Sequence, residues 1–182
     1  MSLRVPDAKR FAFGGEPGLA GTVGKSGKAR LFQHEDNLYR LTDGKTGKRA
    51  PGWAQVLSAK LGVTACVRHF WQQYPKAFSA ESDLLHVELM PGFDKKTYSG
   101  RKDEDICKLY YYLRGGVYTF KVGVEKTHEV LFDFHAPALG PDYAHQINAR
   151  FQAPLVATAS PEWVCATKVF GALLPVDKRY MR

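Results

Sequence analysis

An all-β antiparallel sandwich ending in a short C-terminal helical segment is the fold class that this sequence predicts. Three observations carry it. Glycine and proline punctuate the chain at intervals of about 8–15 residues, as the turns of a sandwich do. The segments between them are short and rich in β-branched and aromatic residues. Helix-start signals appear only after Phe134.

Taken in order, strands are expected at residues 19–23, bounded by Gly18 and Gly24, at 29–33 after Gly27, and at 37–42 before Asp43-Gly44. Pro51-Gly52 precedes the next at 53–60, Gly62 precedes 63–70, and Pro91-Gly92 closes 83–90. The clearest signal is a hairpin over 106–113 and 116–124: Ile106 to Leu113 and Val117 to Val122 flank Arg114-Gly115-Gly116. A Gly-Gly pair supplies the positive φ angles that tight hairpin turns require. Side chains alternate along a strand, so Tyr110 and Tyr112 point one way and Tyr111 the other. A last strand is expected at 127–135. Pro141 to Arg150 then reads as a short helix with proline in its first turn. Ser160-Pro161-Glu162-Trp163 starts another, with Ser at the N-cap, Pro at the first helical position and an acid in the first turn, running on to Leu174. The organisation is thus a sandwich domain over 1–160 and a helical start over 161–182.

Composition limits the functions open to such a chain. Its 182 residues amount to one ordinary domain, and 45% apolar, 24% charged and 13% aromatic residues describe a globular protein with a substantial core. No run of about 18 apolar residues is present, so no membrane partner is expected, and residues 1–7 hold no apolar stretch of the export-signal kind. Cys66, Cys107 and Cys165 form no CxxC pair, which argues against a disulfide framework and against a zinc site. The net charge of +8 suits an acidic partner. It is not concentrated: residues 1–50 carry 10 basic and 5 acidic side chains, residues 101–150 carry 7 of each, and no dense basic tract exists. Nucleic acid is therefore disfavoured.

Two clusters could carry chemistry. Lys126-Thr127-His128-Glu129 opens the last strand, with His128 and Glu129 on opposite faces. Lys126 and His128 are the candidate catalytic groups: lysine meets an anionic substrate by charge, and histidine titrates near neutral pH. The bland alternative is a cross-strand pair at a sheet edge. The second cluster, Arg68 to Lys76, offers Arg68, His69, Trp71 and Gln72 as substrate-binding groups, since aromatic faces pack on sugar rings while Arg and Gln bond carboxylates and hydroxyls. One of the adjacent Phe70 and Trp71 must face the core. The six histidines have no i, i+4 helical pairing, although His86, His128 and His135 could meet across strands; no metal and no cofactor is expected. A GxSxG elbow, a GxxxxGK[ST] loop and HExxH are all absent, which sets those enzyme classes aside.

Four runs, Ala50 to Ala54, Val67 to Lys76 with its FWQQYPK, Lys126 to Glu129 and Ser160 to Trp163, resemble in order and spacing the exo-rhamnogalacturonan lyase and YetA-like family over residues 29–177. The likeness is to that family's central β-sandwich domain. It implies a fragment, truncated on the N-terminal side, that belongs between an N-terminal β domain and a C-terminal α/α toroid, with residues 160–177 as the passage into the toroid. The implied substrate is an acidic polysaccharide, rhamnogalacturonan of pectin. The implied chemistry is β-elimination: a base removes the C5 proton of a uronate whose carboxylate is neutralised. A toroid supplies much of the site in complete enzymes, so the expectation is a module that is inactive in isolation. The alternative is a stand-alone carbohydrate-binding or domain-bracing module.

Overall fold

A computed structural model describes residues 1–24, 27–102, 107, 111–175, 177 and 179. These residues form two compact units, Met1–Gln152 and Ala153–Arg182.

The first unit is an all-β sandwich. One sheet has six strands in the order β1 (Ser2–Arg4), β10 (Leu84–Glu88), β9 (Lys76–Glu81), β4 (Ala29–Glu35), β5 (Leu38–Leu41) and β6 (Thr46–Gly47). The other has five, in the order β13 (Val130–His135), β8 (Gly62–Val67), β7 (Trp53–Leu57), β2 (Arg10–Phe13) and β3 (Leu19–Thr22). Every pairing is antiparallel. Alternation along the strands builds the core between the sheets. Leu31, Phe78, Ala80, Leu85 and Val87 of one sheet meet Phe11, Phe13, Val56, Val63, Ala65 and Val67 of the other. Phe70 settles the choice between adjacent aromatics: it is buried and stacks on Phe78 at 4.7 Å and 2°.

The outer face of the five-stranded sheet is covered by helix α1 (Pro141–Gln152), whose Ala144, Ile147 and Phe151 pack on Ala12, Trp53, Cys66 and Leu131. Polar groups hold it there. Gln55 Nε2 donates to the carbonyls of Leu139 and Gly140 at 3.2 Å, and Asn148 Nδ2 donates to Pro51 O at 2.9 Å. The hairpin of β11 (Tyr111–Arg114) and β12 (Val117–Phe120) forms a third, two-stranded sheet. Gly115 and Gly116 take φ of +65° and +80°, the mirror-image turn their sequence requires. Tyr111 is buried and Tyr112 exposed, as alternation demands; Ile106 and Tyr110 lie outside the described residues.

Other boundaries differ from expectation. Four strands, β1, β2, β6 and β9, arise where none was anticipated. β9 begins with lysine and places Ala77 and Ser79 opposite Phe78, so its small residues hide a strand that is buried over five of its six positions. The strands expected to reach residues 60, 70 and 124 stop at Leu57, Val67 and Phe120, and the one expected from 127 begins at Val130. After Val67 the chain turns instead, with His69 at φ +53°.

In the second unit, α2 (Pro161–Thr167) is capped as expected, Ser160 Oγ accepting from Trp163 N–H at 3.2 Å. It ends seven residues short of Leu174 because Lys168 adopts the left-handed conformation at φ +53°. No helix of the described residues is long and apolar enough to cross a membrane.

Candidate functional site

Lys76 lies on the inward face of β9 with Phe78 and Ala80, but at the end of the strand, so its ammonium reaches the rim of the sandwich. The side chain is fully buried. Its Nζ donates to Leu89 O at 3.5 Å and lies 3.1 Å from His128 Nδ1. The same His128 nitrogen is 2.9 Å from Gln73 Oε1. Lys126, two residues before His128, donates to Tyr111 Oη at 2.9 Å and to Gln73 O at 3.5 Å, with Nζ 4.5 Å from the centre of the Tyr111 ring. Tyr111 passes the chain on, its hydroxyl donating to Tyr74 O at 2.7 Å. Two ammonium groups and an imidazole therefore converge where β9, the 68–75 turn, β11 and the approach to β13 meet.

Position determines how these groups titrate. Burial, reinforced by the Lys126 charge, pulls Lys76 from 10.5 down to about 7. Burial, then the charges of Lys76 and Lys126, push His128 down to about 4. His128 is thus neutral at neutral pH, and Lys76 takes the near-neutral titration expected of the histidine. The two are linked through Nδ1. When Lys76 is charged it donates to an unprotonated Nδ1; when Nδ1 carries the proton it donates to Gln73, and Lys76 must be the free amine. Among the described residues no carboxylate bonds Lys76 or His128.

Glu129 turns the other way, as its strand parity requires. Its carboxylate lies 3.0 Å from Arg68 Nε without an aligned N–H, an ionic contact rather than a hydrogen bond. The Arg68 guanidinium also sits 4.5 Å from the centre of the Phe151 ring. Arg68 thus helps to fasten α1. His69 donates its backbone N–H to Gln152 Oε1 at 3.1 Å and has an exposed side chain. Trp71 is half-buried with the Arg49 guanidinium 4.2 Å above its ring, and Gln72 is exposed. None of these four touches Lys126 or His128 through a described bond. The residues of that run that do are Gln73 and Lys76, which the motif contained but to which no role was given. The signal for Lys76 was present: in K-A-F-S-A, period-two alternation puts the lysine on the apolar face.

Gly52 keeps the 68–75 turn in place. At φ +93°, its added Cβ would lie 2.5 Å from Phe70 Cβ and 2.8 Å from Val67 O, and its carbonyl accepts from Val67 N–H at 2.8 Å. His86, His128 and His135 do not meet: His86 bonds Ser2 Oγ at 2.7 Å and His135 bonds Thr64 Oγ1 at 3.0 Å. Among the described residues no group of three or more His, Cys, Asp or Glu could hold a metal ion. Cys66 is buried and its thiol pushed up to about 12, chiefly by burial, so it stays protonated.

No family model matches this chain, and no curated protein matches it.

Proposed function

We propose that the chain is the β-sandwich module of a polysaccharide-lyase-like protein acting on rhamnogalacturonan, and that it holds a uronate carboxylate at the Lys76, Lys126 and His128 cluster. The observation that carries this reading is the buried Lys76 ammonium against the His128 imidazole, with the Lys126 charge close by and no described carboxylate bonded to Lys76 or His128. Lys76 gains from an anion, because burying its charge with no carboxylate among the described residues bonded to it is costly. Carboxylate neutralisation is also what β-elimination asks of a positive group, since it stabilises the carbanion that forms at C5.

A proton acceptor is less well provided. His128 at about 4 is a weak base at neutral pH, and Lys76 is enclosed. The module therefore binds rather than cleaves on its own. On immobilised rhamnogalacturonan the chain should be retained, and methyl esterification of the uronates should release it. Incubation with soluble rhamnogalacturonan should yield no unsaturated uronate absorbance. Equal retention on the esterified polymer overturns the binding claim; robust product from this chain alone overturns the assignment to a non-catalytic module.

A second reading, bracing of other parts of a larger protein, is favoured by residues 153–182, where Leu155 is 103% exposed and Val156, Trp163, Phe170 and Leu174 are also exposed. Removing these residues separates the two readings. Loss of assembly with retained polysaccharide binding would support bracing by this segment, whereas loss of neither would remove it.

A further inference from the structure

Lys76 is fully buried, so no molecule in solution touches its ammonium. Lys126 is held by Tyr111 Oη at 2.9 Å and by Gln73 O at 3.5 Å. His128 is half-buried, and both polar neighbours of its ring lie at one nitrogen: Nδ1 is 3.1 Å from Lys76 Nζ and 2.9 Å from Gln73 Oε1. Its other nitrogen, Nε2, has no hydrogen-bond partner among the described residues and is not sealed from solvent. A ligand at the cluster therefore meets the imidazole at Nε2, while the buried amine stands behind the ring at Nδ1.

A neutral imidazole carries a single N–H, so what occupies Nδ1 decides what Nε2 offers. A charged Lys76 donates to Nδ1, which is then the bare nitrogen, and Nε2 becomes an N–H donor. An uncharged Lys76 leaves Nδ1 to carry the proton and donate to Gln73 Oε1, and Nε2 becomes an acceptor. Gln73 accommodates both, since a half-turn of its amide exchanges the oxygen for the NH2. The ring is neutral in either state, because burial and the charges of Lys76 and Lys126 hold His128 down at about 4. The titratable groups facing Lys76 are His128 and Lys126, and those facing His128 are Lys76 and Lys126; Tyr111 lies beyond Lys126, and Glu129 is turned away toward Arg68. We propose that Lys76 acts through His128 as a positioning residue: when charged it makes Nε2–H a donor to the uronate carboxylate, and when uncharged it leaves a bare Nε2 that accepts from a sugar hydroxyl instead. This rests on the reading of the cluster as a uronate site, and adds which atom makes the contact and what sets its polarity. Hydrogen bonds in series polarise one another, so the enclosed charge strengthens the outer bond without touching the ligand.

The test is nitrogen NMR of the His128 ring in the whole chain at about pH 6 and about pH 9, between which Lys76, pulled down to about 7, loses its charge. In the wild type Nδ1 should read as the bare nitrogen and Nε2 as the protonated one at the lower pH, and the two should exchange roles at the higher. Lys76→Met should hold the Nδ1–H form at both. At the lower pH a rhamnogalacturonan oligosaccharide should shift Nε2 and its proton saturably. Its methyl ester on the wild type, and the oligosaccharide on Lys76→Met, should each bind at least about tenfold more weakly, the order expected for losing a charge-assisted bond. The same ring protonation in the wild type at both pH values, or Nε2–H as the major form in Lys76→Met, would overturn the switch. Saturable, ester-sensitive binding that leaves Nε2 unmoved would overturn the contact while the uronate reading stands, and no binding of the oligosaccharide would overturn both.

Discussion

Replacing Lys76 by methionine should make the protein more stable at neutral pH and remove a specific part of its pH dependence. Lys76 releases its proton at about 7 in the folded chain, against 10.5 when unfolded. At about 1.4 kcal/mol per pH unit, that difference amounts to roughly 5 kcal/mol against the charged form, which structural relaxation lowers to about 3–5 kcal/mol. Methionine fills much the same volume but gives up the contacts to Leu89 O and His128 Nδ1, at about 1 kcal/mol each. The net gain at about pH 7 is thus about 1–3 kcal/mol. The sign of the pH effect follows from proton counting. Between about 7 and 10.5 the unfolded chain holds the proton that the folded chain has lost, so wild-type stability climbs with pH across that window and is insensitive to Lys76 below it. The methionine variant lacks this climb. Urea unfolding of both proteins from about pH 6 to about pH 10 measures it, and the difference between the two curves isolates the contribution of Lys76. Parallel curves, or a less stable variant at about pH 7, would refute the reasoning.

Other substitutions separate packing from binding. Phe70→Ala removes the ring stacked on Phe78 and should cost about 3–5 kcal/mol in urea unfolding. Gly52→Ala, at φ +93° and against Phe70 Cβ, should cost at least about 2 kcal/mol by the same assay. Arg68→Ala loses the Phe151 ring contact and a partly exposed ion pair, so thermal unfolding should show a loss of about 1–2 kcal/mol while rhamnogalacturonan affinity stays within about twofold.

Much of the sandwich was legible because its strands alternate between punctuating glycines and prolines. The hairpin at Gly115-Gly116, the proline-led start of α1 and the Ser160 cap all obey local rules, and local rules are what a single sequence displays. β9 escaped because Ala77 and Ser79 carry little β preference; the strand exists through pairing with β4 and β10, a property of the sheet rather than of the segment. The site divided in the same way. Lys126 and His128 stand two residues apart and were found together. Lys76 reaches His128 from 52 residues earlier, and its role comes from burial between sheets, which no local pattern states outright. Arg68 has the right chemistry for a carboxylate, and the carboxylate beside it is that of Glu129, with the Phe151 ring against its guanidinium.

The central claim, an anion held by a cluster whose charge depends on Lys76, is tested most directly by calorimetric titration with a rhamnogalacturonan oligosaccharide at about pH 6 and about pH 9. Uronates are ionised at both, whereas Lys76 passes from mostly charged to mostly neutral through about 7. Binding should take up protons near neutral pH, weaken at least about tenfold at the higher pH, and weaken further in Lys126→Gln. Equal affinity at both pH values together with unchanged affinity in Lys126→Gln would contradict the account.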